Sequence, residues 1–267
     1  MKWVCLMYHD VAPGPIGDSV GPQRFSISAA SFEQTLDVMM ELGYLGCSLE
    51  AAMGKRGVPR RVAITFDDGT RGQFDQAAPA LTARGMTATF FVTTDWVGSP
   101  GFMTWDQLRG LKSMGMSVQS HTKSHPFLSE LGAAELRDEL AASKRELDAE
   151  LRQDTQQMAF PGGNAPHRRL RPILAEVGYR VVAGSRWGVN DDDQGARRAP
   201  WVRRCTAPRD ASREFVARIL RGDRRLRLAR GLRETVLYGM RGLLGASRYA
   251  RIRRGVLDAM VRRASPE

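Results

Sequence analysis

The sequence predicts an α/β chain folded as a distorted, incompletely closed (β/α) barrel of about seven parallel strands, followed by an Arg-rich helical tail. Three observations carry this prediction. An amphipathic helix, a glycine able to stop it in the left-handed conformation, and a short β-branched or apolar run recur together as a unit. Strands that alternate with helices imply right-handed crossovers, and hence a parallel sheet. Beyond residue 206 the strand signals stop, while arginine accumulates around apolar positions at helical spacing.

In chain order, the strands expected are Trp3–Tyr8, Val62–Phe66, Thr87–Val92, Ser117–Ser120, Gln157–Phe160, Tyr179–Ala183 and Val202–Cys205. The helical stripes between them are Phe32, Leu36 and Met39 running to Gly43; Ala78 and Leu81 to Gly85; Leu108, Leu111 and Met114 to Gly115; and Leu170, Leu174 and Val177 to Gly178. The clearest helix, with Leu136, Leu140, Leu147 and Leu151 on one stripe, joins the fourth strand to the fifth.

A chain of 267 residues with 42% hydrophobic composition can bury one substantial core. We divide it into a barrel domain, residues 1–206, and a basic helical extension, residues 207–267. The formal charge of +11 is unevenly placed: residues 203–267 hold 18 Arg and 6 acids, and the remainder is near neutral. In the extension, Val236, Met240 and Leu243, then Ile252, Val256 and Met260, predict two or three amphipathic helices. They would pack on the barrel or meet an anionic membrane surface. Nucleic acid ranks lowest as a partner, because aromatic interleaving and any reading motif are missing.

Cys5, Cys47 and Cys205 are an odd, sparse set without C-x-x-C spacing, read as buried reduced thiols. The apolar start of the chain stops at His9 and Asp10 with no small-residue cleavage site, so it reads as a core strand. No run of about 18 apolar residues offers a spanning helix. The expectation is a cytoplasmic protein, with peripheral contact at the inner membrane face if the tail binds lipid.

In such barrels chemistry gathers at the C-terminal ends of the strands, and the polar oddities of this sequence fall there. His9 follows the first strand, Asp67 and Asp68 the second, His121 the fourth, and Pro161-Gly162-Gly163 the fifth. Adjacent buried carboxylates need a compensating charge, most simply a cation. His121 and His125 can converge on one ion and, with one carboxylate, leave it open positions. The other carboxylate could then act as a base on water.

Thr65-Phe66-Asp67-Asp68-Gly69 and His121-Thr122-Lys123-Ser124-His125-Pro126 resemble, in order and spacing, the first two motifs of the polysaccharide deacetylases, which share the chitooligosaccharide deacetylase domain. The resemblance spans about residues 3 to 206. It implies that Asp67 is the general base and that Asp68, His121 and His125 hold a divalent metal, zinc first, with Co²⁺, Ni²⁺ or Fe²⁺ as alternatives. The implied reaction removes acetyl groups from N-acetylated sugars of a polysaccharide, oligosaccharide, or lipid- or nucleotide-linked glycan. Pro161, Gly162 and Gly163 resemble the third motif, one wall of the substrate groove, and Trp187 falls where the fourth supplies an apolar wall.

Two departures stand out. The family often places an Arg two residues before the third-motif proline to steady the base, and here that residue is Ala159; Arg186 is the substitute the sequence suggests. The family's C-terminal Leu-x-His, source of the general acid, is missing, since no histidine follows His167. Leu6-Met7-Tyr8-His9-Asp10 resembles instead a permuted subgroup that includes poly-N-acetylglucosamine deacetylases, in which the N-terminal strand fills the gap, and this points to His9 as the acid. His167 reads as a helix-start surface residue, and Tyr8 reads as packing. Two rival functions stay open: a non-catalytic glycan-binding relative, and a two-histidine, one-carboxylate ferrous oxygenase.

Overall fold

The computed structural model describes residues 1–14, 26–54, 60–163, 167–192, 200–206, 208–209, 211–231 and 248. Its centre is β5 (Arg61–Phe66), all six residues buried, as expected of a strand covered on both faces. Around it lie β1 (Lys2–Tyr8), β2 (Asp10–Ala12), β3 (Ser26–Ser28), β4 (Leu45–Cys47), β6 (Thr89–Val92), β7 (Ser117–Ser120), β8 (Gln157–Ala159), β9 (Val181–Ala183), β10 (Asn190–Asp191), β11 (Trp201–Val202) and β12 (Cys205–Thr206). The helices are α1 (Ala29–Glu41), α2 (Leu49–Gly54), α3 (Ala78–Thr82), α4 (Trp105–Ser113), α5 (Ala133–Leu151), α6 (His167–Val177) and α7 (Arg213–Leu220).

The main sheet runs β1-β5-β6-β7-β8-β9-β11 with every neighbour parallel. Closure comes from one short segment in two parts. β11 pairs with β9, and two residues later β12 pairs with the upper half of β1. The seven parallel strands expected from the sequence are present, the last split because the backbone N–H groups of Arg203 and Arg204 turn aside to Asn190 Oδ1 and Arg186 O. β4 and β10, too short for any periodicity to reveal, fill the lower positions beside β5 and β1. The four helix-stopping glycines all take positive φ: Gly43 at 69°, Gly85 at 62°, Gly115 at 80° and Gly178 at 100°.

Strand alternation divides the side chains between two environments. Outward residues such as Leu6, Ile64, Phe66, Phe90 and Val118 pack under α1, α3, α4 and α7, while Met158, Phe160 and Val182 pack under α5 and α6. Inward residues are mostly small: Cys5, Ala63, Ala159, Ala183 and Val202 surround Phe91 and Trp3. The three cysteines are buried and free. α7 is laid on α1 through Val216, Ile219 and Leu220, with the Tyr44 hydroxyl donating to Leu220 O at 2.9 Å. The start of the extension is thus packed on the barrel, and Val236, Met240, Leu243, Ile252, Val256 and Met260 lie outside the described residues. Among the described residues no helix is long and apolar enough to cross a membrane.

Candidate active site and metal centre

The inward parity that places Ala63 and Cys5 in the barrel continues upward through Thr65 to Asp67, and through Met7 to His9. The same parity places Asp67 and His121 inside, where they are 3% and 2% exposed. By strict alternation Asp68 would point away. It takes φ 78° instead, and its carboxylate swings back over the barrel mouth. Thr122 (φ 70°) and His125 (φ 63°) share this left-handed conformation, so three of the five described non-glycine residues with positive φ lie at this mouth. For a β-branched residue such as Thr122 it is a strained state, of the kind that persists where the surroundings over-determine it. The Ser120 hydroxyl accepts from Thr122 N, the Thr122 hydroxyl accepts from His125 N, and Glu139 on α5 receives Ser124 N and its hydroxyl.

Asp68 Oδ1 lies 3.3 Å from His121 Nε2 and 3.4 Å from His125 Nε2, and the three donor atoms fall within 4.8 Å of one another. Although buried, Oδ1 makes no hydrogen bond of acceptable geometry. A tetrahedral ion with bonds of about 2.0–2.2 Å separates its ligands by about 3.3–3.6 Å, so these spacings suit a shared cation better than hydrogen bonds. The His121 Nδ1 lies 2.8 Å from Ala159 O, so Nδ1–H donates there and the ring is held with Nε2 facing Asp68. The Trp96 ring packs at a tilt against the His125 ring, with centroids 4.8 Å apart, and against Phe102 at 5.0 Å. Two imidazoles and a carboxylate are a donor set that fits a divalent metal.

Asp67 has a different environment. The fully buried Arg204 guanidinium grips it in bidentate fashion, Nη1 to Oδ1 at 2.6 Å and Nη2 to Oδ2 at 2.8 Å, and its Nε donates to Gly184 O at 2.7 Å. Burial pushes the Asp67 carboxyl up, but Arg204 and His121 override it and hold its pKa below the usual value. Burial acts likewise on Asp68, where the two histidines bring the pKa well below that value. On His121 burial lowers the pKa and the Asp67 and Asp68 charges raise it further. Burial lowers the His9 pKa, against the pull of Asp68 and Asp67.

The structure therefore brings together Asp67, Asp68, His121, His125 and the end of the His9 strand. Pro161, Gly162 and Gly163 form a 3₁₀ turn after β8, with Gly162 at φ 64° beneath Phe127. Arg186 does not supply the guanidinium on Asp67: its side chain is exposed, and it meets Arg204 through its backbone carbonyl. The reason is parity, for Arg204 stands two residues past inward-facing Val202. Trp187, 9% exposed, is packed among core residues and offers no open ring face to a sugar. Sequence reasoning missed Arg204, Trp96 and the carbonyl of Ala159. His167 begins α6.

Residues 54–182 match the model of the family described as polysaccharide deacetylase, a span that holds both carboxylates and both histidines of the cluster and leaves His9 and Arg204 outside. YxkH of Bacillus subtilis (strain 168) is 28% identical over 199 residues, covering 73% of this chain and 68% of that protein. The poly-beta-1,6-N-acetyl-D-glucosamine N-deacetylase of Escherichia coli (strain K12) is 27% identical over 142 residues, 45% of this chain and 20% of the longer protein. Among solved structures, the Streptococcus pyogenes deacetylase PplD in complex with acetate superposes with a TM-score of 0.72 at 25% identity, covering 82% of this chain and 98% of that one.

Proposed function

Because the chain carries the domain of the polysaccharide deacetylase family, a group of hydrolases acting on amide bonds, we propose that it removes acetyl groups from an N-acetylglucosamine-containing glycan with the help of a divalent metal. The observation that carries this reading is the Asp68 Oδ1 atom, buried without a hydrogen bond and equidistant from two imidazole nitrogens. Asp68, His121 and His125 would hold the ion, with zinc the first candidate for this donor set. When bound, the metal would polarise the acetyl carbonyl and make a water easier to deprotonate.

Asp67 is placed to accept the proton of the attacking water, and its depressed pKa keeps it ionised at neutral pH. Arg204 holds both its oxygens in place, the service that the missing Arg before Pro161 would have given. As the carbonyl carbon gains the water oxygen, the carbon–nitrogen bond breaks and the amine leaves with a proton. His9, at the end of the strand beside β5, is the proposed donor. With a partner for the base and a donor for the amine, the reading as a non-catalytic glycan binder loses its motive. The parallel barrel also argues against an oxygenase, which would favour a double-sheet cupin. Acetate release from N-acetylated oligosaccharides by zinc-loaded protein tests the proposal. Release that stops in Asp67→Asn is expected, and no release from any acetylated glycan would overturn it.

We also propose that the extension touches anionic lipid. After α7, Arg221, Arg224 and Arg225 are exposed, and three positions further on Leu228 stands 73% exposed.

A further inference from the structure

The ladder between β1 and β5 ends at the bond from Asp67 N to Tyr8 O, 3.0 Å long. Beyond it the two chains part: one turns through Asp68 and Gly69 in left-handed conformations, the other runs on into β2. The residues that follow the diverging strands, His9 and Asp67, are the proposed acid and base. Thr70 reaches across to His9 O with its hydroxyl, 3.4 Å away, but one side chain bonds both strand ends. The Gln73 amide Nε2 donates to His9 O and to Asp67 O, and the residue is wholly buried.

The local sequence is built to bring Gln73 there. Gly72 lies against β2 so closely that a Cβ would sit 2.2 Å from Val11 O and 2.5 Å from Asp10 Oδ1, which no side chain could tolerate. The Thr70 hydroxyl donates to Asp10 Oδ1 at 2.7 Å, and Ser26 to Asp10 Oδ2 at 3.1 Å, pinning the chain just past His9 to the loop just past Asp67. Gln73 opens a π-helical turn, Gln73–Ala77, a widened geometry that recurs at functional sites. Its Oε1 is buried with no protein partner among the described residues. An apolar side chain of equal length would avoid that desolvation penalty, so the amide is retained for its two donated hydrogens.

We propose that Gln73 is a positioning residue that sets the separation of His9 from Asp67; the inference rests on the reading of these two as acid and base. Removing its donors lets the His9 backbone drift and misaligns the imidazole with the leaving nitrogen, while Asp67 stays clamped by Arg204 and still serves the attacking water. The defect must therefore show where the leaving group needs a proton and vanish where it does not. Gln73→Met, similar in length and without donors, is compared with wild type on an N-acetylated chitooligosaccharide and on 4-nitrophenyl acetate, whose phenolate leaves unprotonated. We expect kcat for the amide to fall about tenfold or more, with metal content and ester hydrolysis close to wild type. In the His9→Ala background the Gln73→Met loss on the amide should disappear, because one acts through the other. Equal losses on both substrates, no loss on the amide, or an undiminished loss in the His9→Ala background would overturn the proposal. If Gln73→Met does not fold, Gln73→Asn, which withdraws the amide by one methylene, carries the same comparison. His9→Ala alone separates the two failures: without an amide-selective loss there, the acid assignment falls; with one there and none in Gln73→Met, only the role of Gln73 falls.

Discussion

Among the described residues two arginines are completely buried in this barrel, one at each end, and each grips an aspartate. At the lower rim Arg61 pairs with Asp192 and gives its Nε to Ala52 O; at the upper rim Arg204 pairs with Asp67 and gives its Nε to Gly184 O. Both lie beside an aromatic ring, Trp3 below and Phe91 above. The difference is company. Around Asp192 the second partner is the Met1 ammonium, 2.8 Å from Oδ2, and no candidate metal cluster gathers there among the described residues, whereas Asp67 is followed by Asp68 and faced by His121. A buried ion pair is a weak sign of function by itself. It becomes informative where the protein has neutralised one carboxylate and left its neighbour for something else.

The sharpest break of that comparison lies between the neighbours Asp67 and Asp68. Asp68→Ala, His121→Ala and His125→Ala should each lose bound metal and all measurable turnover, while Asp67→Asn should keep the metal and lose turnover by about a hundredfold or more. Metal analysis of the purified variants decides it, and equal metal loss in Asp67→Asn and Asp68→Ala would sink the division of labour.

Next in size is His9→Ala, expected to retain metal and fold and to lose on the order of a hundredfold in rate. Burial holds the His9 pKa below the ordinary 6.5, so its acid form is lost as pH rises through that lowered value. The wild-type rate should fall on that alkaline side, and the limb should vanish in His9→Ala. An unchanged limb would move the search to His167.

The two arginines then supply a matched pair. Arg204→Met strands a buried carboxylate and should lower unfolding stability by about 3–5 kcal/mol, whereas Arg61→Met leaves Asp192 the Met1 ammonium, 2.8 Å from Oδ2, and should cost less. Only Arg204→Met should also lower kcat, by about 10–100-fold, because only its aspartate is the proposed base. Denaturant titrations beside steady-state rates test this. Similar kcat losses in both variants would make the upper pair no more than a brace.

Much of this was legible beforehand because it depends on local signals. The helix–glycine–strand units needed only the left-handed preference of Gly43, Gly85, Gly115 and Gly178, and the cluster needed only that four unusual residues follow strands. Arg204 was not legible, since its role depends on parity across a strand split by two residues and on a partner 137 positions away. The usable signal was there: an inward-facing carboxylate needs a cation, and Arg204 alternates with apolar Val202.

The smallest effect expected is at the edge of the described chain. Vesicles containing anionic lipid should cosediment with the protein at low salt and less so at physiological salt, through Arg221, Arg224, Arg225 and Leu228. Absence of binding at both salts would leave those arginines a solvated face.

The split final strand has a consequence for the order in which this enzyme comes into being. β1 precedes the other strands in the chain and its upper partner β12 follows them, so the edge that closes the barrel stays unpaired while the strands between are made. The same late segment carries Arg204, without which Asp67 is a buried charge lacking its counterion. Docking of this segment joins residues far apart in sequence, the slow kind of step in folding. Closure of the ring and pairing of the proposed base with Arg204 are thus one event, so a chain whose β12 segment is not yet docked lacks the counterion that the proposed base needs.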